Sequence, residues 1–185
     1  AEMLAQAECR GACIPEQRWL NLSNTRYLIT DKTADLVKNS VFYDTSLTYT
    51  LTENMRFETS HVAVDPPFVA TAVDILYRSD ACVPSTACVP LLGNEPPTKT
   101  EPFDAFMLAR WELPDAETID QLVLGSQQTV NIHAITLIDT RTGDFQQVTL
   151  PPWKRVLSSD IKLYENLNVT PRAYYIVDYN VQIAK

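Results

Sequence analysis

The stretch IKLYENLNVTPRAYYIV, residues 161–177, decides the fold class of this chain. Two runs of alternating character flank a short segment that is rich in Asn and Pro. Alternation with a period of two is typical of a β-strand with one buried face, and Asn and Pro favour turns. The stretch therefore predicts a β-hairpin or a sheet corner.

The same alternation recurs along most of the chain and predicts about ten or eleven short strands. Residues 140–144 contain Gly143 and predict a hairpin loop, with the glycine in the left-handed conformation. Residues 82–102 carry five of the twelve prolines and predict a long irregular excursion. Many short strands with frequent turn signals indicate a mainly β fold, an antiparallel β-sandwich of jelly-roll type.

The N-terminal part of the chain differs from the rest. Residues 1–25 lack strand patterns and predict a helical or irregular appendage with one or two short helices, the second of which begins at Pro15. Residues 26–185 then form the β-sandwich domain.

Charge excludes some partners. The 185 residues carry 15 basic and 23 acidic side chains, a net charge of −8. A nucleic-acid backbone and an anionic lipid surface both select basic faces, so neither is an expected partner. No apolar run approaches the roughly 20 residues that span a bilayer.

Four cysteines lie in two close pairs, Cys9 with Cys13 and Cys82 with Cys88. Disulfides, buried free thiols and a metal site remain open. Disulfides are favoured, because the intervals of three and five residues depart from the usual zinc-ligand spacing and no His lies near either pair. Disulfides would indicate an oxidising compartment.

Motifs of catalysis are absent from the sequence. There is no G-x-S-x-G elbow and no phosphate-binding glycine loop. His61 and His133 stand outside any cluster with ligand spacing, and nothing selects an acid pair such as Asp160 and Glu165 for glycoside hydrolysis. We therefore predict a domain that is not an enzyme and has no catalytic residue, no metal site and no cofactor, with Ca²⁺ left open.

Tryptophan offers the clearest candidate for binding. Trp111 alternates in phase with apolar neighbours, which predicts a core position. Trp153 follows Pro151-Pro152 and precedes Lys154-Arg155 in a predicted loop. An exposed indole can stack on a sugar ring, so Trp153 and Arg155 are the candidate binding residues. The alternative is a tryptophan that caps the edge of the core.

Three polar residues of the opening stretch predict a structural role. Arg172 could bridge to Glu165 or to turn carbonyls, and with Asn166 these residues would stabilise the bend between two strands.

The opening stretch also resembles a family signature, K-(I/L)-Y-E-N-x-x-x-x-P-R-A-(F/Y)-x-V. It is similar to the C-terminal extracytoplasmic region of YfhO-type proteins, which are bacterial multi-pass membrane proteins similar to lipid-linked-sugar glycosyltransferases. The resemblance extends to four further segments: LNLSNTRYLITD (20–31), PPFVAT (66–71), LIDTRTG (137–143) and SSDIK (158–162). The segment 82–102 is not part of the pattern.

The resemblance implies a sandwich similar to galactose-binding-like modules. It implies an extracytoplasmic location and, in the full-length protein, association with the cell membrane. The implied function is a non-catalytic module that binds or orients a cell-envelope glycan or a lipid-linked sugar. A structural domain that docks on the parent protein's membrane helices or on a partner protein is the alternative, and a glycan-active enzyme is a third.

Overall fold

The structure, a computed structural model, describes residues 20–21, 23–33, 35–52, 60–78 and 88–169. Within these ranges the chain is mainly β, as the sequence predicts. The strands in chain order are β1 (Tyr27–Asp31), β2 (Leu36–Lys38), β3 (Val41–Tyr43), β4 (Tyr49–Leu51), β5 (Ser60–Arg78), β6 (Pro90–Leu92), β7 (Lys99–Phe103), β8 (Phe106–Ser126), β9 (Val130–Asp139), β10 (Asp144–Val148), β11 (Trp153–Ser158) and β12 (Ile161–Asn166).

These strands form three antiparallel sheets. The large sheet has the order β10-β9-β5-β8-β6, with β4 added on β9 and β7 added on β8. A three-stranded sheet has the order β1-β12-β11, and β2 pairs with β3 in a separate two-stranded sheet. The prediction of antiparallel pairing is confirmed for every pair of strands in the described part.

The large sheet is covered on both faces. Val73 and Ile75 of β5 belong to the main core, which also contains Trp153 and Tyr164 of the three-stranded sheet. Successive residues of a strand point to opposite faces. Leu76 accordingly belongs to a second, smaller core with β3. The large and three-stranded sheets therefore enclose the main core in a sandwich-like arrangement.

The prediction that residues 82–102 lack regular pairing is wrong for its described part. Pro90–Leu92 pairs with the C-terminal end of β8, and Lys99–Phe103 pairs with its N-terminal end. Proline is tolerated in edge strands, because an edge strand needs only half of its backbone donors. Pro90 and Pro102 therefore lie in edge strands.

Several local predictions can be compared with the structure. Gly143 has a φ of 82° in the turn between β9 and β10, as predicted. Trp111 is buried, as predicted. In the described part of the N-terminal segment only Leu20 and Asn21 are helical. The predicted helices otherwise lie outside the described residues.

Candidate functional site

A cleft of about 360 Å³ opens between the large sheet and the three-stranded sheet. We name it the Trp153 cleft. Its volume lies at the lower end of the range of small-ligand sites, roughly 300–1,000 Å³. It is lined by His61, Val62, Ala63, Asp65, Gln146, Gln147, Val148, Thr149, Pro151, Pro152, Trp153, Lys154, Arg155 and Leu167. Both candidate binding residues from the sequence therefore line one cleft.

Trp153 does not have the predicted exposure. It is the first residue of β11, its side chain belongs to the main core, and it is only 6% exposed. The expectation of an indole exposed on a loop is wrong, because Trp153 pairs with Asn166 across the three-stranded sheet and its side chain turns inward. Trp153 therefore forms a wall of the cleft and caps the edge of the core.

Arg155 joins the two sheets across the cleft. It is the cross-strand partner of Tyr164, which is fully buried, so its side chain starts on the inner face of the three-stranded sheet. Its Nη1 donates to Oε1 of Gln147 at 3.0 Å, and its Nη2 donates to the Gln147 carbonyl at 3.1 Å. Two hydrogen bonds to one residue hold the guanidinium in a defined place.

The rest of the lining supplies hydrogen-bonding groups. Gln146 donates through Nε2 to the carbonyl of Pro66 at 2.7 Å, which orients its amide. Asp65, His61 and Lys154 are exposed at the rim. An arginine, two amides and an apolar wall can bind a small polar molecule, whereas nothing in this set pairs a nucleophile with a base.

The predicted corner residues are only partly visible. Arg172 lies outside the described residues. Glu165 accepts hydrogen bonds from Nε and Nη2 of Arg26. Asn166 is 2% exposed and donates through Nδ2 to Oδ1 of Asn21 at 2.8 Å and to the carbonyl of Thr25 at 3.1 Å. Asn166 therefore ties the end of β12 to the segment before β1.

One of the four cysteines is described. Cys88 is buried, and its Sγ lies 2.7 Å from Oε1 of Gln128. Cys9, Cys13 and Cys82 lie outside the described residues, so the disulfide pairing stays a prediction.

Sequence analysis missed a buried ionic cluster around Lys162. The Lys162 side chain is inaccessible to solvent, and its Nζ donates to Oδ1 of Asp44 at 2.7 Å, to Oγ of Ser46 at 3.3 Å and to Asp35. The hydroxyl of Tyr164 donates to the second oxygen of Asp44. One ammonium thus contacts two carboxylates at the edge of the main core and can balance the charge of only one of them.

The pKa values of the two carboxylates shift in opposite directions. Burial raises the pKa of Asp35 above its ordinary value, and Lys162 offsets only part of that rise. Burial would also raise the pKa of Asp44, but the hydrogen bonds from Lys162 and Tyr164 outweigh it and leave that pKa below its ordinary value. Asp44 is therefore the principal counter-ion of Lys162.

A second missed network lies on the opposite face of the large sheet. Asp74 is completely buried and accepts two hydrogen bonds from Arg110, each 2.7 Å long. The Tyr43 hydroxyl donates to Oδ2 of Asp74 at 2.7 Å. Burial and the neighbouring Asp74 charge strongly raise the pKa of Tyr43, which keeps this hydroxyl protonated. The network fastens the β2–β3 hairpin to the large sheet.

The outer face of the three-stranded sheet carries a row of apolar residues between charged residues at both ends. Ile29, Leu163 and Leu157 are direct partners in one row across β1, β12 and β11. Ile29 is 64% exposed and Leu157 is 45% exposed. Tyr27 and Ile161 lie on the same face, one on each side of that row, and both are exposed. We name these five residues the outer apolar face.

Neither the pattern of a metal site nor that of a membrane-spanning helix is present in the described ranges. No group of three or more His, Cys, Asp or Glu residues there is arranged to hold a metal ion. No helix there is long and apolar enough to cross a membrane.

Comparisons with known proteins give no neighbour. No family profile, no curated protein and no solved structure matches the chain.

Proposed function

We propose that this chain is a non-catalytic β-sandwich module that binds a sugar unit of a cell-envelope glycan or of a lipid-linked sugar. The observation that carries the proposal is the Trp153 cleft, where Arg155, Gln146 and Gln147 surround about 360 Å³ beside an apolar wall. Sugar sites need such a combination, because a ring presents apolar C–H groups next to hydroxyls that require donors and acceptors.

The finer assignments belong to the same proposal. The sandwich would be of jelly-roll or galactose-binding-like type, as the resemblance to YfhO-type proteins implies. The module would be extracytoplasmic and, in the full-length protein, associated with the cell membrane. Disulfides among Cys9, Cys13, Cys82 and Cys88 would suit that compartment.

A titration followed by NMR tests the proposal. The labelled domain is titrated with glucose, galactose, N-acetylglucosamine and their oligosaccharides, with and without Ca²⁺. We expect saturable shifts confined to residues that line the Trp153 cleft. An absence of saturable shifts across the panel would overturn the proposal.

A variant that fills the Trp153 cleft makes that test specific. Ala63 is exposed and lines the cleft, so Ala63→Trp should fill it and weaken binding by roughly tenfold or more. Ala116→Trp is the matched control, because Ala116 is also exposed on the large sheet but lies outside the cleft. Equal binding by the two variants would contradict the assignment of the site.

The outer apolar face favours a second function. An exposed apolar patch on a β-sheet is typical of a docking surface. The resemblance supplies the occupant, since the parent protein's own membrane helices are apolar. Under this alternative the module docks on those helices through Ile29, Leu163 and Leu157.

Dodecyl maltoside micelles serve as the apolar probe for this second function. We expect shifts confined to the outer apolar face, and we expect the double variant Ile29→Thr/Leu157→Thr to reduce them several-fold. Val69→Thr is the control, because Val69 is a comparably exposed apolar residue on the large sheet. Equal loss in the control, or no shifts in the unaltered domain, would exclude docking through this face.

A further inference from the structure

We propose that the Trp153 cleft selects an anionic sugar, whose carboxylate or phosphate group is bound by Arg155. This inference rests on the proposed function and adds the chemical class of the ligand. It follows from the charge balance of the cleft rather than from its shape.

Arg155 lacks the counter-ion that three of the other four described arginines have. Arg110 has Asp74, Arg141 has Asp139, and Arg26 has Glu165. Arg78 is exposed and lies over the ring of Phe106. In the described ranges no carboxylate lies within ion-pair distance of the half-buried Arg155, whose only described partners are neutral groups of Gln147.

A partly desolvated guanidinium gains most from a charged acceptor. Arginine has five N–H donors in a planar fork, and Gln147 engages two of them, so donors remain for a ligand. Carboxylate and phosphate groups match that fork in geometry and charge. Gln147 fixes the plane of the guanidinium before the ligand arrives, which reduces the entropy cost of binding.

Neighbouring charges agree with this assignment. Lys154 lies at the rim of the same cleft, but it is the cross-strand partner of Glu165, so its side chain starts on the outer face of the three-stranded sheet. Asp65 is the only acidic residue among the lining residues. Among the described lining residues, Arg155 is therefore the cation that starts on the inner face, and no carboxylate lies within ion-pair distance of it.

The test compares glucose with two sugars that carry an anionic group at C6. The domain is titrated by NMR with glucose, glucuronate and glucose 6-phosphate at one ionic strength, and sodium acetate serves as an anion without a ring. We expect the better of the two anionic sugars to bind roughly tenfold or more tightly than glucose. Which of them binds more tightly distinguishes a carboxylate ligand from a phosphate ligand. We expect acetate to bind more weakly than either.

Variants assign the preference to one side chain. Arg155→Gln should remove the preference for anionic sugars and retain weak binding of glucose, whereas Arg155→Lys should restore part of it. Arg26→Gln, which removes an exposed arginine outside the cleft, should leave the preference intact. In the unaltered domain, raising the salt concentration should weaken glucuronate binding and leave glucose binding unchanged, which tests the charge without any substitution.

The outcomes separate this inference from the proposed function. If glucose binds as tightly as both anionic sugars, the inference fails and the sugar-binding function stands. If no sugar binds, both fail. If acetate matches glucuronate, the cleft holds an adventitious ion only and selects no sugar.

Discussion

Replacing Lys162 by methionine is expected to lower the free energy of unfolding by about 3–5 kcal/mol, because two buried carboxylates lose their cation. Methionine keeps most of the side-chain volume, so the core around Tyr164 stays filled. The expected loss therefore reports on charge rather than on a cavity. Asp44 would keep the Tyr164 hydroxyl and the Ser46 backbone N–H as donors, whereas Asp35 would lose the side-chain donor that it now has in Lys162.

Urea unfolding measures this effect, with Lys154→Met as the matched control. Lys154 is exposed, so its replacement should change the free energy of unfolding by no more than about 0.5 kcal/mol. Similar stabilities of the two variants would contradict the role of Lys162 as a buried counter-ion.

Acid provides a second check on the same variant. Loss of the ammonium raises the pKa of both carboxylates relative to the unaltered protein, so they take up protons earlier as the pH falls. In the unaltered protein the lowered pKa of Asp44 stabilises the fold above the ordinary Asp pKa, and this contribution is lost as the pH falls through the lowered value. The difference in stability should thus be largest near neutral pH and should shrink toward pH values of about 4.

The alternation in residues 161–166 was enough to predict a strand but not the nature of its buried face. A period of two places Lys162, Tyr164 and Asn166 on one face and leaves Ile161 and Leu163 on the other. Hydrophobicity alone would bury the second set, yet the structure buries the first. The partners that make this possible, Asp35 and Asp44, are 127 and 118 residues away in sequence, so spacing could not reveal them.

The candidate site, like the strand at residues 161–166, could be predicted only in part from the sequence. The sequence singled out Trp153 and Arg155, and the structure places both on one cleft. The other lining residues come from β5, β10 and the segment after β12, which a linear pattern cannot bring together. The contact of Gln146 with Pro66, for example, spans 80 residues. Burial of Trp153 depends on its register with Asn166, which no local signal fixes.

The outer apolar face also could not be predicted from sequence patterns. Ile29 and Leu163 lie in segments that predict strands, whereas Leu157 lies in β11, which the sequence did not predict as a strand. Only the register of three strands aligns these residues in one row. β1 and β12 are far apart in sequence, so their pairing depends on long-range contacts. A surface built by register is therefore visible only in the folded chain.

Replacing Asp74 by alanine should be comparably severe, with an expected loss of about 3–5 kcal/mol in the free energy of unfolding. Asp74 is completely buried, and it neutralises Arg110 while it accepts a hydrogen bond from Tyr43. Without the carboxylate, a partly buried guanidinium and a buried hydroxyl lose their acceptor at the contact between the β2–β3 hairpin and the large sheet. Tyr43→Phe removes only one hydrogen bond to a charged group and should cost about 1.5–3 kcal/mol.

The double variant Asp74→Ala/Arg110→Met distinguishes an ion pair from simple packing. When both charges are absent, no unpaired guanidinium remains, so the double variant should be more stable than Asp74→Ala alone. Asp144→Ala, at an exposed position at the start of β10, is the control and should change stability by no more than about 0.5 kcal/mol. All are measured by urea unfolding at neutral pH. The single variant Arg110→Met completes the comparison. If the double variant loses as much stability as Asp74→Ala and Arg110→Met together, the two side chains act independently; an ion pair makes the double loss smaller than that sum.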